Sequence, residues 1–493
     1  MRSNTTRLLV RNVSHLGIGQ VASTGLGILL AAVIGRALEP AELGILYIVF
    51  AISSFAYVCV DWGQTTYLVK EMAKGRIDEP ELIGGALGVR LSIFVLSTVA
   101  AAVVALALGY NAEIVWFTLL AMAVGLPFAL SAPFDCSFRG KDRMDIGVLA
   151  NLVGKAVTLI ATAVALRFGG GLKYVILMLG VGNISTLVVA LIAAQRFNVA
   201  VKIPGMKVLR ELVRHGAPIA VFSLVLASQP FLEILLLSAF AGAAVVGWYG
   251  ASRSIFGVIL SPAMIVLTAT FPELSRASRS LPDLRRMIDT TGRILFIAAA
   301  FACSALYLYA DHLVAIIYGH GRFEQTATIL RVSAIFVPLQ FFGLLLGFVM
   351  LTVDRNKAMA IISIVRIVVC GILGSLLIGY WQLRFGNGAI ALVIIVGLAE
   401  IPVIILCLRL LPSGAVGSTT MLNLVRACIV SLCTVAPLSM LQPLGLAYLT
   451  PLFALLFVFA AMVTRLVLPS DLQLALEVAR SRVLAPKESA PDG

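Results

Sequence analysis

The chain has 493 residues, 60% of them hydrophobic and only 12% charged, where a water-soluble domain is about 45–50% apolar and about 25% charged. That balance excludes a soluble globular protein, a disordered chain and a nucleic-acid binder, and obliges the apolar surplus to face lipid. Lys and Arg number 37 against 24 Asp and Glu, a formal net charge of +13, so the charge first raises the question of whether basic loops collect on one side of a membrane.

A hydrocarbon core needs about 20 apolar residues per crossing helix. By that ruler the sequence reads as an all-α integral membrane protein of about fourteen transmembrane helices. The first span, roughly 14–35, follows the basic Arg2, Arg7 and Arg11; its apolar run exceeds a signal-peptide core and lacks a convincing cleavage site, so it is expected to remain as a span. Spans at roughly 43–67, 84–108, 114–135, 146–167 and 173–195 complete a first set of six. A second set runs at roughly 216–240, 246–270, 292–310, 328–352, 358–380 and 387–409, and two more follow at roughly 422–441 and 446–468. Beyond Pro469, Leu472, Leu474, Leu476 and Val478 precede Arg480 and Arg482; a short amphipathic surface helix and a soluble tail are both open readings. The expected organisation is therefore an N-lobe over 1–205 (helices 1–6), a C-lobe over 206–412 (helices 7–12), helices 13 and 14 over 413–468 and a cytoplasmic tail over 469–493.

The loops set the orientation. With the N-terminus inside, the inward loops hold Lys70, Lys74 and Arg76, then Arg139, Lys141 and Arg143, then Arg196, Lys202, Lys207, Arg210 and Arg214, and so on to Arg465, while the outward loops hold little beyond Arg36, Arg167, Lys173, Arg322 and Arg384. This alternation follows the positive-inside rule and puts both termini in the cytoplasm, an expectation for a multi-pass protein of the cytoplasmic (inner) membrane. The two halves also echo each other. Leu126-Pro127-Phe128 resembles Val337-Pro338-Leu339, Asp142-Arg143 resembles Asp354-Arg355, and Lys155 corresponds to Arg366, each about 211 residues on; Gly44 with Tyr47 corresponds to Gly247 with Tyr249. Six helices per copy give a parallel repeat about an axis along the membrane normal, the arrangement in which transporters place a site between halves.

Enzymatic chemistry is not expected. There is no GxxxxGK[ST] and no Gly-x-Ser-x-Gly, and His15, His215, His312 and His320 lack metal-ligand spacing. Seven cysteines without a CxxC read as soft apolar side chains. No cofactor and no metal is expected.

Charge at a helix centre is costly, so buried ionisable residues are the candidates for function. Lys155, Arg253 and Arg366 lie deep in helices 5, 8 and 11; Arg331, kept with them, and Arg90 lie nearer helix ends, where snorkelling competes with a cavity role. Three acids are also inside: Asp61, Glu233 and Glu400, as coupling groups for a cation or proton or as structural partners of buried arginines. The deep set leans basic, which suits an anionic substrate, above all a phosphate.

Gly35-Arg36-Ala37-Leu38-Glu39-Pro40-Ala41-Glu42-Leu43-Gly44 followed by Tyr47 resembles the first-loop signature of the polysaccharide transporter (Wzx-like) flippases, departing from it at Glu39, Leu43 and one extra residue before Tyr47. Asp61-Trp62-Gly63 with Leu68-Val69-Lys70-Glu71, Val245-Val246-Gly247-Trp248-Tyr249, and Tyr318-Gly319 with Phe323 are similar to further segments of that family. The resemblance implies membership of the multidrug/oligosaccharidyl-lipid/polysaccharide exporter superfamily, with a V-shaped pair of six-helix lobes and often two added helices. It implies a lipid-linked oligosaccharide flippase: an oligosaccharide on a polyprenyl (di)phosphate moved from the inner to the outer leaflet by alternating access, for cell-surface polysaccharide such as O-antigen or exopolysaccharide. Its expected partners are that substrate, membrane lipids, glycosyltransferases and a polysaccharide polymerase. The alternatives are a cation-coupled multidrug-type exporter of small molecules and a membrane scaffold for glycan assembly.

Overall fold

The computed structural model describes residues 2–75, 78–441 and 446–467. The expected tail beyond Pro469, Arg76 and the side chains of Arg2, Arg7 and Arg11 lie outside the described residues. Sixteen α-helices and no strand occur among the described residues. They are α1 (Arg2–Ala37), α2 (Pro40–Asp61), α3 (Gln64–Lys74), α4 (Glu79–Ala107), α5 (Ala112–Gly140), α6 (Met144–Arg167), α7 (Leu172–Arg196) and α8 (Met206–Phe240). There follow α9 (Ala243–Ala277), α10 (Leu281–Tyr318), α11 (Glu324–Ile335), α12 (Val337–Thr352), α13 (Asn356–Phe385), α14 (Gly388–Leu410), α15 (Ser418–Met440) and α16 (Leu446–Val463).

Among the described residues, twelve helical segments are long and apolar enough to cross a membrane, with α2 and α3 together making one of them. The expected fourteen spans correspond to these twelve, to the pair α11 and α12, bent by 55° and passing only together, and to the shorter apolar α16. Two breaks interrupt what the sequence presents as single spans. Trp62 and Gly63 both take positive φ, 49° and 68°, and turn α2 into α3; glycine adopts that conformation without steric cost, whereas Trp62 is held there by its surroundings, its indole Nε1 donating to the Val213 carbonyl at 3.1 Å. Between α11 and α12, Pro338 stands in the first turn of the new helix, where its missing N–H is no loss. The repeat has a local counterpart: Asp142 and Asp354, at matching positions after α5 and α12, both turn the chain with φ near +57° (57° and 56°).

The chain divides into two compact units. The first comprises Met1–Ile259, Asp311–Leu330 and Lys357–Ala399. One of its cores joins Tyr67 and Leu68 to Leu82, Ala86, Cys136, Val208 and Leu212; another joins Ile83, Phe134 and Phe138 to Ile146, Ala190, Ala194 and Val199. Within this unit α2 and α9 meet at Gly44 and Gly247. A Cβ on Gly44 would run into the carbonyl oxygen of Ala243, and one on Gly247 into that of Pro40, so only glycine lets the two backbones approach here. Arg36 ties this end down by donating to the carbonyls of Ile316 and Ile317 at 2.5 and 3.2 Å, two of the last-turn acceptors that α10 leaves open. Arg322 bonds Glu39 at 2.9 Å, and Trp248 donates to the Arg322 carbonyl at 3.1 Å.

The second unit comprises Leu260–Ala310, Arg331–Asn356 and Glu400–Gly493. Aromatic pairs hold it: Phe296 with Phe342 at 5.8 Å, Phe271 with Phe348 at 6.1 Å, and Phe301 with both Phe453 and Phe457 at 5.5 Å. The hydroxyl of Thr420 donates to the Asp289 carboxylate.

Candidate functional site

Three polar assemblies lie inside the membrane-spanning helices of the first unit. The first is built on α8 and α9. Gln229 and Glu233 are one turn apart on α8, and Tyr249 and Arg253 are one turn apart on α9, so each pair presents one face. Glu233 is buried, 2% exposed. Its Oε1 accepts from Gln229 at 2.9 Å and its Oε2 from the Tyr249 hydroxyl at 2.6 Å. Arg253 Nη2 stands 3.6 Å from the same Oε2, within ion-pair range but beyond a good hydrogen bond, and 37% of the Arg253 side chain is exposed. The carboxylate is thus bonded by two neutral donors, and the guanidinium beside it stands 6.0 Å from the centre of the Phe256 ring. Arg366, the expected counterpart of Lys155, sits half-buried on α13. Gly374 of the same helix packs against Leu236 of α8.

The second assembly is structural. Arg90 is 2% exposed and lies in the core, a correction to the snorkelling reading. Its Nη2 pairs with Asp61 and also donates to the Thr65 hydroxyl at 3.0 Å, its Nε donates to Gln64 at 3.2 Å, and its Nη1 donates to the Ala129 carbonyl at 2.7 Å. Asp61 is therefore engaged by Arg90 and Thr65.

The third is a cavity of about 400 Å³ walled by α1, α5, α6 and α7. Lys155 lines it and donates to Ser23 at 2.5 Å; Asp135 and Arg139 line it as an ion pair at 2.7 Å; Gln20, Ser131, Asn151 and Thr186 add polar groups, and Phe128 an aromatic face. All its lining residues lie between Gly19 and Ala190, so Lys155 lines it and Arg253 does not. Arg331 is half-buried on α11, and Glu400, 7% exposed, lies against Gly343 of α12; both belong to the second unit. No group of three or more metal-ligating side chains occurs among the described residues.

Sequence reasoning missed Gln229 and Tyr249 as donors to Glu233, and missed Ser23, Asp135 and Asn151 entirely. The spacing of four between Gln229 and Glu233, and again between Tyr249 and Arg253, was the available signal.

A polysaccharide biosynthesis protein family matches residues 9–278, more than half of the chain. The chain belongs to that family. It is the family that the Gly35–Gly44 signature leads one to expect. No curated protein sequence matches the chain. Among solved structures, the lipid II flippase MurJ in an inward closed conformation is similar with a TM-score of 0.72 at 12% identity, over 94% of this chain and 99% of that one. An inward-facing multidrug-resistance MATE transporter is similar with a TM-score of 0.66 at 16% identity, over 82% and 95%. A MOP-superfamily transporter from Pyrococcus furiosus is similar with a TM-score of 0.56 at 18% identity, over 81% and 94%. At these identities the likeness is one of fold: this member of the polysaccharide biosynthesis protein family has the architecture shared by MurJ and the MATE transporters, and its long apolar helices make it a multi-pass membrane protein.

Proposed function

We propose that the protein is a flippase that moves a polyprenyl-(di)phosphate-linked oligosaccharide from the inner to the outer leaflet of the cytoplasmic membrane by alternating access, with both termini cytoplasmic. The polysaccharide family match supports the sugar-bearing substrate, and the lipid II flippase fold supports a lipid-linked one. The observation that carries the reading at the level of chemistry is Arg253: a guanidinium inside the membrane, loosely paired at 3.6 Å and partly exposed. A phosphate offers it two parallel charge-assisted bonds, which Glu233 at that distance does not. Glu233, bonded by Tyr249 and Gln229, remains satisfied when Arg253 turns to the substrate. A membrane potential negative inside favours outward movement of an anion by about 2.3 kcal/mol per charge per 100 mV, which supplies a driving force without nucleotide hydrolysis. Glycosyltransferases that build the substrate and a polymerase that consumes it are the partners this role requires.

The test is reconstitution in vesicles with a fluorescent polyprenyl-diphosphate-linked sugar, read by quenching of the outward-facing label. Arg253→Gln is expected to lower the flipping rate at least tenfold while the protein still inserts and elutes as a single species; unchanged flipping in that variant would remove Arg253 from the substrate path. A multidrug-type exporter is the second reading, favoured by the MATE likeness. It requires carboxylates available to a cationic drug or a coupling ion, whereas Asp61 and Glu233 stand beside Arg90 and Arg253. Growth protection against cationic drugs on expression, without glycan flipping, would favour it.

A further inference from the structure

The cavity among α1, α5, α6 and α7 has its own chemistry, distinct from a diphosphate site. Its volume of about 400 Å³ is that of a small ligand pocket. Its charged lining residues are Asp135, Arg139 and Lys155, and the first two neutralise each other at 2.7 Å. That leaves one positive charge in surplus, on Lys155, which makes no ion pair among the described residues and donates only to the Ser23 hydroxyl. An ammonium so placed calls for a single anionic group. Asp135, a quarter exposed, repels a polyanion; its Oδ1 is buried against Gly147, and its Oδ2, paired with Arg139, keeps a further lone pair for a hydroxyl donor. Asn151 offers both donors and an acceptor, and Phe128, 48% exposed, gives the apolar face of a ring something to lie against. One carboxylate, several hydroxyls and one apolar ring face describe a single class of molecule.

We propose that this cavity is a saccharide subsite for an acidic sugar, a hexuronic-acid type of residue in the transported glycan, whose carboxylate sits on Lys155 and whose hydroxyls are read by Asp135 and Asn151. The inference rests on the flippase reading and adds to it a glycan preference: Arg253 handles the phosphate, and Lys155 selects sugars by charge. The subsite lies wholly within residues 19–190 and does not depend on Arg253.

The test is ligand-observed saturation-transfer NMR on the purified full chain in lipid nanodiscs, with glucuronate, glucose and inorganic pyrophosphate as probes. Glucuronate is expected to bind saturably and at least tenfold more tightly than glucose, and pyrophosphate is expected not to displace it. Lys155→Gln should abolish the tenfold preference, Lys155→Arg should retain it, and Arg253→Gln should leave it unchanged. Asn151→Leu should weaken glucuronate and glucose alike. Equal binding of glucose and glucuronate, displacement by pyrophosphate at equal concentration, absence of saturable binding, or a preference that survives Lys155→Gln would each overturn the proposal. Flipping in vesicles separates the two readings. If lipid-linked sugar is flipped but glucuronate does not bind, the subsite falls alone. If glucuronate binds with the stated preference and no lipid-linked sugar is flipped, the subsite stands and the flippase reading falls.

Discussion

Pro133 has no amide hydrogen to give to the Ala129 carbonyl four residues before it, and Arg90 supplies the missing donor across from α4. The same guanidinium neutralises Asp61, so one side chain satisfies a backbone acceptor, a carboxylate, a glutamine and a threonine. Arg90→Met keeps the volume and removes every one of those bonds. It is expected to destabilise the protein by about 3 kcal/mol, the lower end of the range for orphaning a buried charge, because a third of the Asp61 side chain is exposed. Thermal unfolding in detergent checks this: a loss of folded protein in Arg90→Met, and recovery in the double variant Arg90→Met, Asp61→Asn, are the expected outcomes. At this scale the sequence told which residues were costly and not whom they met. Lys155, Arg253 and Glu233 were visible because charge inside an apolar run is rare. Their partners Ser23, Tyr249 and Gln229 were not, because neutral polar residues in a helix carry no such cost and helix-to-helix proximity leaves no trace in periodicity. Pro133 did carry a usable sign, since a proline inside a helix announces an unclaimed carbonyl.

Helices were the most legible level. Length and apolarity located the spans, and the fourteen expected segments find their counterparts in twelve long ones, a bent pair and α16. Breaks inside spans were not visible, since apolar composition continues through Trp62–Gly63 and through Phe336–Pro338 while the backbone turns. The pairing of α2 with α9 was equally hidden, although Gly44 and Gly247 had been matched as repeat positions. Gly247→Ala forces a methyl into the Pro40 carbonyl, and the two backbones have no flexible side chain there to yield. Overpacking of this kind costs about 1–3 kcal/mol. The expected result is a rise in cross-linking loss between cysteines placed at Tyr47 and Ser254, whose hydroxyls are 2.7 Å apart in the native protein, because α2 and α9 must separate. Unchanged cross-linking would show that the contact is not set by glycine.

At the scale of the whole molecule, the charge asymmetry is a statement about orientation. Reporter insertions test it directly. A fluorescent protein placed after Lys202 or Asp354 is expected to fold and fluoresce, as on the cytoplasmic side, and a phosphatase placed after Gly109 or Gly386 is expected to be active, as on the outer side. A single inversion among the four would break the even count and move one terminus across the membrane. The superfamily architecture was reachable from the signature residues. The substrate was not, because apolar helices and basic loops name no cargo, and the polar cavity among α1, α5, α6 and α7 draws its walls from four separate helices.

The meeting of Gly44 and Gly247 has one more property. Each glycine faces the carbonyl four places before the other, Ala243 for Gly44 and Pro40 for Gly247, so the contact reads the same from either helix. That is the form of a two-fold homodimer seam, where one patch greets its own copy. A half-length protomer bearing one such glycine would already own both sides of the joint. Tandem duplication could then link the protomers without redesigning it, leaving places such as 155 and 366 to diverge into lysine and arginine.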